Sequence, residues 1–433
     1  MTDNLVDTTP KQKCIQDRTT RLSPAIYHPL LDLDKSKLEK IPPKPVPPPP
    51  PVVKYTIPPA YDVIGVNPSR YDCCVQKVID EMGKYIKEFK MIFVLGREDS
   101  PRDIVQFFPK YNFLFRAGTT PGTDPGVLAN LEAHMPYFRS IGCKNYYYVD
   151  DLLIYENNKA PIKLMSGCDG IIVPTNQMVE AIQAEHVEVP IHVMKTHMDL
   201  PSFDMTPPYG LLTEKGKVNV LFASQGRVGA HLIVEMCEIM DQNPSKYKNV
   251  KVICLSHAVA QMRSILNRFR NINKCYYEYM PINAYYGLAQ GIDIFLSPGE
   301  ERDLDYMMDE SMRGPWLHSK SCHKYTLAGA ARKPGIYSPL RDYKEHVKHG
   351  ETGFLANGVN EWIDYLDLLI NDVDLAEKIG INARRDIENN FHIYRRIEQL
   401  VEIFKGIPQH LVSKKVEESK GISIYDVLGE DEA

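Results

Sequence analysis

Lys320-Ser321 and Lys324 stand at the head of a stretch with helical spacing over 320–331. One helical turn separates the two amines, so both can approach a single anion. The helix N-terminus adds backbone N–H groups, and Ser321 adds a hydroxyl. That is phosphate chemistry, with a solvated helix face as the competing reading. Arg227, in the turn Gly226-Arg227-Val228-Gly229, offers a further cation just past an apolar strand. A second constellation is acidic. Asp150 and Asp151 end a run of aromatic and β-branched residues. Neighbouring carboxylates raise one another's pKa, so one of them can accept the proton of a hydroxyl or hold it by hydrogen bond. A turn cap is the other reading of Asp151. Arg116 and His134 read as surface or satisfied polar contacts.

Several other signals fail. No GxGxxG follows a strand, and GxxxxGK[ST] and GxSxG are both absent, which removes P-loop phosphotransfer and the nucleophile elbow. His346 and His349 lack the glutamate of a metalloprotease helix. Aspartate pairs of DxD type occur at Asp32/Asp34, Asp303/Asp305 and Asp372/Asp374, and only Asp303/Asp305 lies near a strand end. The nine cysteines include no CxxC pair and are odd in number, so neither a zinc motif nor a disulfide framework is expected. Buried, reduced thiols are expected instead, with no metal and no cofactor.

The elements that must position these residues alternate along the chain. Apolar strand candidates are Tyr61–Val66, Met91–Leu95, Tyr111–Phe115, Asn145–Val149, Gly170–Val173 and Ile191–Met194. Helix-like spacing at 70–88, 127–141 and 176–186 separates them. After a polar stretch at Asp204–Gly216 the rhythm restarts. Strands are predicted at Val218–Ala223, Val250–Leu255, Tyr276–Tyr279, Ile292–Ser297 and Gly335–Ser338. Helices are predicted at 230–242, 257–270, 320–331, 359–371 and 373–390. Unbroken apolar strands between helices imply parallel sheets covered on both faces. The expected architecture is α/β, with two tandem Rossmann-like, doubly wound domains facing a cleft. Their bounds are 60–205 for the first, 206–216 for a linker and 217–392 for the second. A C-terminal helix at 393–413 and an acidic tail at 414–433 follow. Residues 1–59 include the run PPKPVPPPPP, which favours polyproline II and reads as a tether or as a docking site for an SH3-like partner.

Composition agrees with a globular protein: 433 residues, 43% hydrophobic, 25% charged, net charge −5. No apolar run is long enough to span a bilayer, and the polar N-terminus lacks a secretory h-region, so a cytoplasmic location is expected. Residues 60–205 hold 14 basic and 19 acidic residues, which weighs against a nucleic-acid groove on the first domain.

Residues 276–390 carry an ordered series: Asp293, Lys320-Ser321, Lys324, Pro334, Ser338, Tyr343, Gly350-Glu351-Thr352-Gly353, Trp362 and Asn382-Ala383-Arg384. This series resembles the nucleotide-sugar half of retaining GT-B glycosyltransferases of the family 4 type. Tyr147 to Leu153 and residues 169–199 resemble the first half of the same group more loosely. The resemblance implies metal-independent transfer, with retention, from a nucleotide diphosphate sugar to an acceptor hydroxyl. The acceptor would be a glycan, a protein or a modified DNA base. Lys320, Ser321, Lys324 and Arg227 would then hold the diphosphate. Tyr343 and Glu345 would shape the nucleotide pocket, and Asp150 and Asp151 would face the acceptor. The chain departs from the pattern at Ser319 and Leu327, where the group has glutamates, and at Arg332, where it has glycine. Leu327 cannot hold a ribose hydroxyl, and Glu300 or Glu301 would have to replace it. A catalytically silent GT-B scaffold is therefore the alternative reading.

Overall fold

The computed structural model describes strands at residues 63–67, 89–93 and 111–115 and then most of 132–404. The principal exceptions in that span are 150–159, 225–228 and 300–319. The first sheet has six strands: β1 (Val63–Asn67), β2 (Phe89–Phe93), β3 (Tyr111–Phe115), β4 (Lys144–Tyr148), β5 (Gly170–Val173) and β6 (Ile191–Val193). They lie in the order β2-β1-β3-β4-β5-β6 with every pairing parallel. Helices α1 (Ala160–Ser166) and α2 (Asn176–Ala184) flank β5 in sequence. Thr175 starts α2 by accepting the Met178 N–H at 3.2 Å. A short α3 (Leu200–Met205) follows β6.

The second sheet comprises β7 (Val218–Ser224), β8 (Val250–Ser256), β9 (Asn273–Tyr277), β10 (Ile294–Ser297), β11 (Gly335–Tyr337) and β12 (Phe354–Leu355). Its order is β12-β11-β10-β7-β8-β9, again all parallel. Counted from β7, that is the 3-2-1-4-5-6 order of dinucleotide folds. Successive side chains of β7 serve opposite faces: Val220 and Phe222 join one core layer, Leu221 and Ala223 the other. Period-two burial on both faces is why the strand reads as an unbroken apolar run.

The helices of this half are α4 (Ala230–Gln242), α5 (Pro244–Tyr247), α6 (Val259–Leu266), α7 (Ile282–Gln290), α8 (His323–Ala330), α9 (Arg341–His346), α10 (Gly358–Asn371) and α11 (Val373–Asp386). A π-turn at Ile387–Phe391 leads into α12 (Ile393–Phe404). Met198 and the 391–393 segment exchange backbone hydrogen bonds, and the Tyr146 hydroxyl donates to Ile403 O at 3.3 Å. The end of the described chain thus returns to the first sheet.

Among the described residues most expected elements lie within a few residues of the observed ones; the helix expected at 70–88 and most of that expected at 127–141 lie outside them. The helix expected at 320–331 starts later, at His323, and the one expected at 373–390 turns π after Asp386. Helices α1, α3, α5, α7 and α9 and strand β12 are additions. β9 begins at Asn273 rather than at Tyr276 because its residues are only half-buried at the sheet edge, so polar side chains fit there. Asp372, one of the DxD aspartates, is a helix cap: its carboxylate accepts the Leu375 N–H at 2.9 Å. The other two aspartate pairs and the Pro-rich run lie outside the described residues.

Candidate functional site

Strand order in the second sheet reverses between β7 and β10, and open α/β sheets bind ligands beyond the strands' carboxyl ends at such a point. Two loops meet there. Gly229 has φ +78°, and a Cβ on it would stand 2.3 Å from Pro298 Cγ. Glycine alone accommodates both that backbone and that approach. Ser338 Oγ accepts the Gly299 N–H at 2.9 Å and holds the second loop in place. Arg227, Glu300 and Glu301 belong to adjoining segments outside the described residues, as do Asp150 and Asp151. The strand that leads to the aspartates is as buried as its composition predicts, with Tyr147 and Val149 fully enclosed.

Helix α8 opens the lysine cluster. Cys322 is its N-cap residue, so Lys320 and Ser321 stand in the segment leading in and Lys324 in the first turn. The amines are therefore not stacked on one helical face, as the spacing predicts. They flank the start of the helix instead, and all three side chains are half-buried. The cause is a cap supplied from elsewhere. Cys322 gives no side-chain cap bond, and its own N–H donates to Asp342 Oδ2 of α9 at 2.6 Å.

Tyr343 and Glu345, on α9, take different places. Tyr343 is 3% exposed, and burial pushes its phenol far above the usual range. Its ring stacks on Tyr337 with centroids 5.0 Å apart, and its hydroxyl pairs with Ser297 Oγ at 2.9 Å. The structure thus sets it in the core beneath the end of β10. Glu345 is exposed and faces the first half of the chain, accepting from Gln177 Nε2 at 3.0 Å. One turn away, Arg341 makes two bonds with Glu180 at 2.7 and 2.8 Å. Both partners lie on α2, so α9 joins the two sheets' helical layers.

Other residues of the recognised series are structural. Asp293 accepts the Asn219 N–H at 2.8 Å and approaches Lys333 at 3.3 Å, tying β10 to β7. Trp362 is fully buried and donates to Ala356 O at 3.1 Å. Arg384, 2% exposed, grips Asp204 at 2.9 and 2.7 Å, Glu388 at 2.7 Å and the Ala330 carbonyl at the end of α8 at 2.9 Å. Leu327 is fully buried in the core layer under α8. Arg332 has φ +55°, which explains the glycine that the resemblance expects there.

Two residues near the site carry no sequence signal. Gln177 Oε1 is buried without a hydrogen-bond partner, beside the Glu345 contact. Arg396, 3% exposed, donates to Thr196 O, Gln399 Oε1 and Asn390 O, all uncharged acceptors. Burial lowers its pKa to about 10. Neither residue belongs to a motif, because only tertiary packing makes it unusual.

No family model matches the chain. A 74-residue stretch is 30% identical to the trehalose synthase of Thermococcus litoralis, covering 17% of this chain and 18% of that protein. The matched stretch thus spans less than a fifth of that relative's length. Among solved structures, the chain is similar to a glycosyltransferase from Rickettsia africae, with TM-score 0.56 and 14% identity over 80% of this chain and 98% of that one. It is also similar to HepE from Anabaena, solved with UDP and glucose, with TM-score 0.57 and 12% identity over 79% of this chain and 98% of that one. Identities this low speak to fold alone. The chain has the two-sheet, parallel α/β architecture of GT-B glycosyltransferases.

Proposed function

We propose that this protein transfers a sugar from a nucleotide diphosphate sugar to an acceptor hydroxyl, with retention and with fixed cations rather than a metal on the leaving group. One observation carries the reading: Lys320, Ser321 and Lys324 flank the start of α8 in the sheet whose switch point lies at Gly229 and Pro298. Breaking the bond from the sugar to the diphosphate puts charge on the leaving oxygen, and preorganised amines and amides stabilise it. The acceptor oxygen forms the new bond, and its proton passes to a leaving phosphate oxygen or to Asp150 or Asp151. Arg227 and Glu300 complete the donor contacts, while Tyr343 and Glu345 act by holding the pocket's walls. HepE, of like fold, was solved with UDP and glucose.

We also place the protein in the cytoplasm. Among the described residues no helix is long and apolar enough to cross a membrane. The acceptor is a glycan, a protein or, against the acidic balance of residues 60–205, a modified DNA base; the Pro-rich run would serve a separate partner.

A second reading, a catalytically silent scaffold, is favoured by Leu327. Its side chain is fully buried where the resemblance expects a ribose-binding glutamate. Incubation with a panel of labelled UDP, GDP and TDP sugars separates the two. Hydrolysis or transfer that disappears in Lys320→Ala supports the enzyme. Absence of turnover together with absence of binding leaves the scaffold.

A further inference from the structure

We propose that Cys322, Asp342 and His346 form a binding site for a divalent transition ion of the zinc type. Their ligand atoms all lie within 4.8 Å of one another. Cys322 is fully buried, and the side chains of Asp342 and His346 are 5% and 12% exposed. Asp342 and His346 are four residues apart on α9, so they share one helical face, and that face is turned to the start of α8. Thiolate, imidazole and carboxylate are the donor set of zinc and its neighbours.

The Cys322 thiol lies within hydrogen-bonding reach of the Asp342 carboxylate, through a proton that an ion would displace, whereas the imidazole is spaced as a ligand. His346 Nε2 stands 3.6 Å from Asp342 Oδ1, too long for a hydrogen bond. Two ligands of one tetrahedral ion, each bonded at about 2.0–2.1 Å, stand roughly 3.3 Å apart. The outer contacts that fix ligand orientation are in place. Asp342 turns its other oxygen to the Cys322 N–H at 2.6 Å, and the His346 ring meets Phe391 edge-on at 5.0 Å.

The surrounding charges are compatible with the ion. Lys195 acts on Cys322 and on His346, Glu345 acts on His346 and on Asp342, and Asp386 acts on His346. Arg396 lies close to Cys322. A divalent ion with one thiolate, one carboxylate and one neutral imidazole is formally uncharged, so Lys195 and Arg396 face no net cation. The thiol proton leaves to solvent when the ion binds, and water fills the fourth position. Such an ion would clip the start of α8 to α9 without entering the transfer reaction. His349 takes no part: its ring packs on Phe354 and Tyr365, and Nδ1 accepts the Leu355 N–H at 3.1 Å.

The test uses the full chain, stripped with a chelator and dialysed. It is titrated with Zn²⁺ against a chromogenic chelator and, separately, with Co²⁺ followed by absorption. The expected result is one equivalent bound, with a thiolate-to-cobalt charge-transfer band in the near ultraviolet. Both signals should weaken by more than about tenfold in Cys322→Ser and in His346→Gln. Should Cys322→Ser fail to fold, His346→Gln at the partly exposed rim decides the matter. Failure of the wild-type chain to bind a stoichiometric ion overturns the proposal, as does binding that survives in His346→Gln.

Discussion

Helices α8 and α9 both carry residues expected at the donor site, yet they differ in kind. The head of α8 presents half-buried amines on the rim of the second sheet. Helix α9 turns Tyr343 into the core, caps α8 through Asp342, and reaches α2 through Arg341 and Glu345. One helix carries the amines proposed to meet the donor, and the other sets where that helix begins. A motif that spans both cannot tell contact from support, because each keeps residue types fixed in sequence.

The contrast can be broken by mutation. Tyr343→Ala should cost about 3–5 kcal/mol of stability, read as a lower denaturant midpoint, since it removes a large buried ring. A loss below about 1 kcal/mol would show that α9 is not a support. An acid titration probes the junction beside both helices. Burial lowers the His392 pKa to about 4, so the folded chain keeps that ring neutral after the unfolded chain has protonated it. Stability from this group is present above about pH 6.5 and is lost as pH falls toward 4, by up to about 3 kcal/mol. His392→Gln should flatten that part of the pH–stability curve. Tyr343→Phe, which removes only the Ser297 contact, should cost about 1 kcal/mol and leave donor affinity nearly unchanged. The smallest effect is expected at the other end of α8. Arg332→Gly should relieve the left-handed backbone and stabilise the fold by about 1 kcal/mol, seen as a raised midpoint.

Much of the fold is legible in the sequence because buried parallel strands are nearly continuous apolar runs. β3 and β5 coincide with their expected spans, and β7 and β8 differ from theirs by one residue. Helix α4 is legible from its spacing, since Leu232, Ile233, Met236, Cys237 and Met240 fall on one buried face. Helix α9 escapes the same reading because its six residues, RDYKEH, hold a single apolar ring and four charged side chains. The start of α8 escapes because its cap comes from Asp342, twenty positions away in sequence. At the site, residue type marks the lysines, whereas Gln177 stands out only through the packing that leaves its Oε1 unpaired. The Cys322, Asp342 and His346 cluster is invisible to a search for closely spaced cysteines, since two distant segments form it.

The central claim is that the amines at the head of α8 hold the diphosphate of a nucleotide. Calorimetric titration of UDP into the wild-type chain and into Lys320→Ala/Lys324→Ala tests it most directly, with thermal unfolding of both as a control. Binding should weaken by at least about tenfold to a hundredfold in the double variant, the loss of one or more charge-assisted hydrogen bonds, at an unchanged melting temperature. Equal UDP affinity in the two proteins would contradict it.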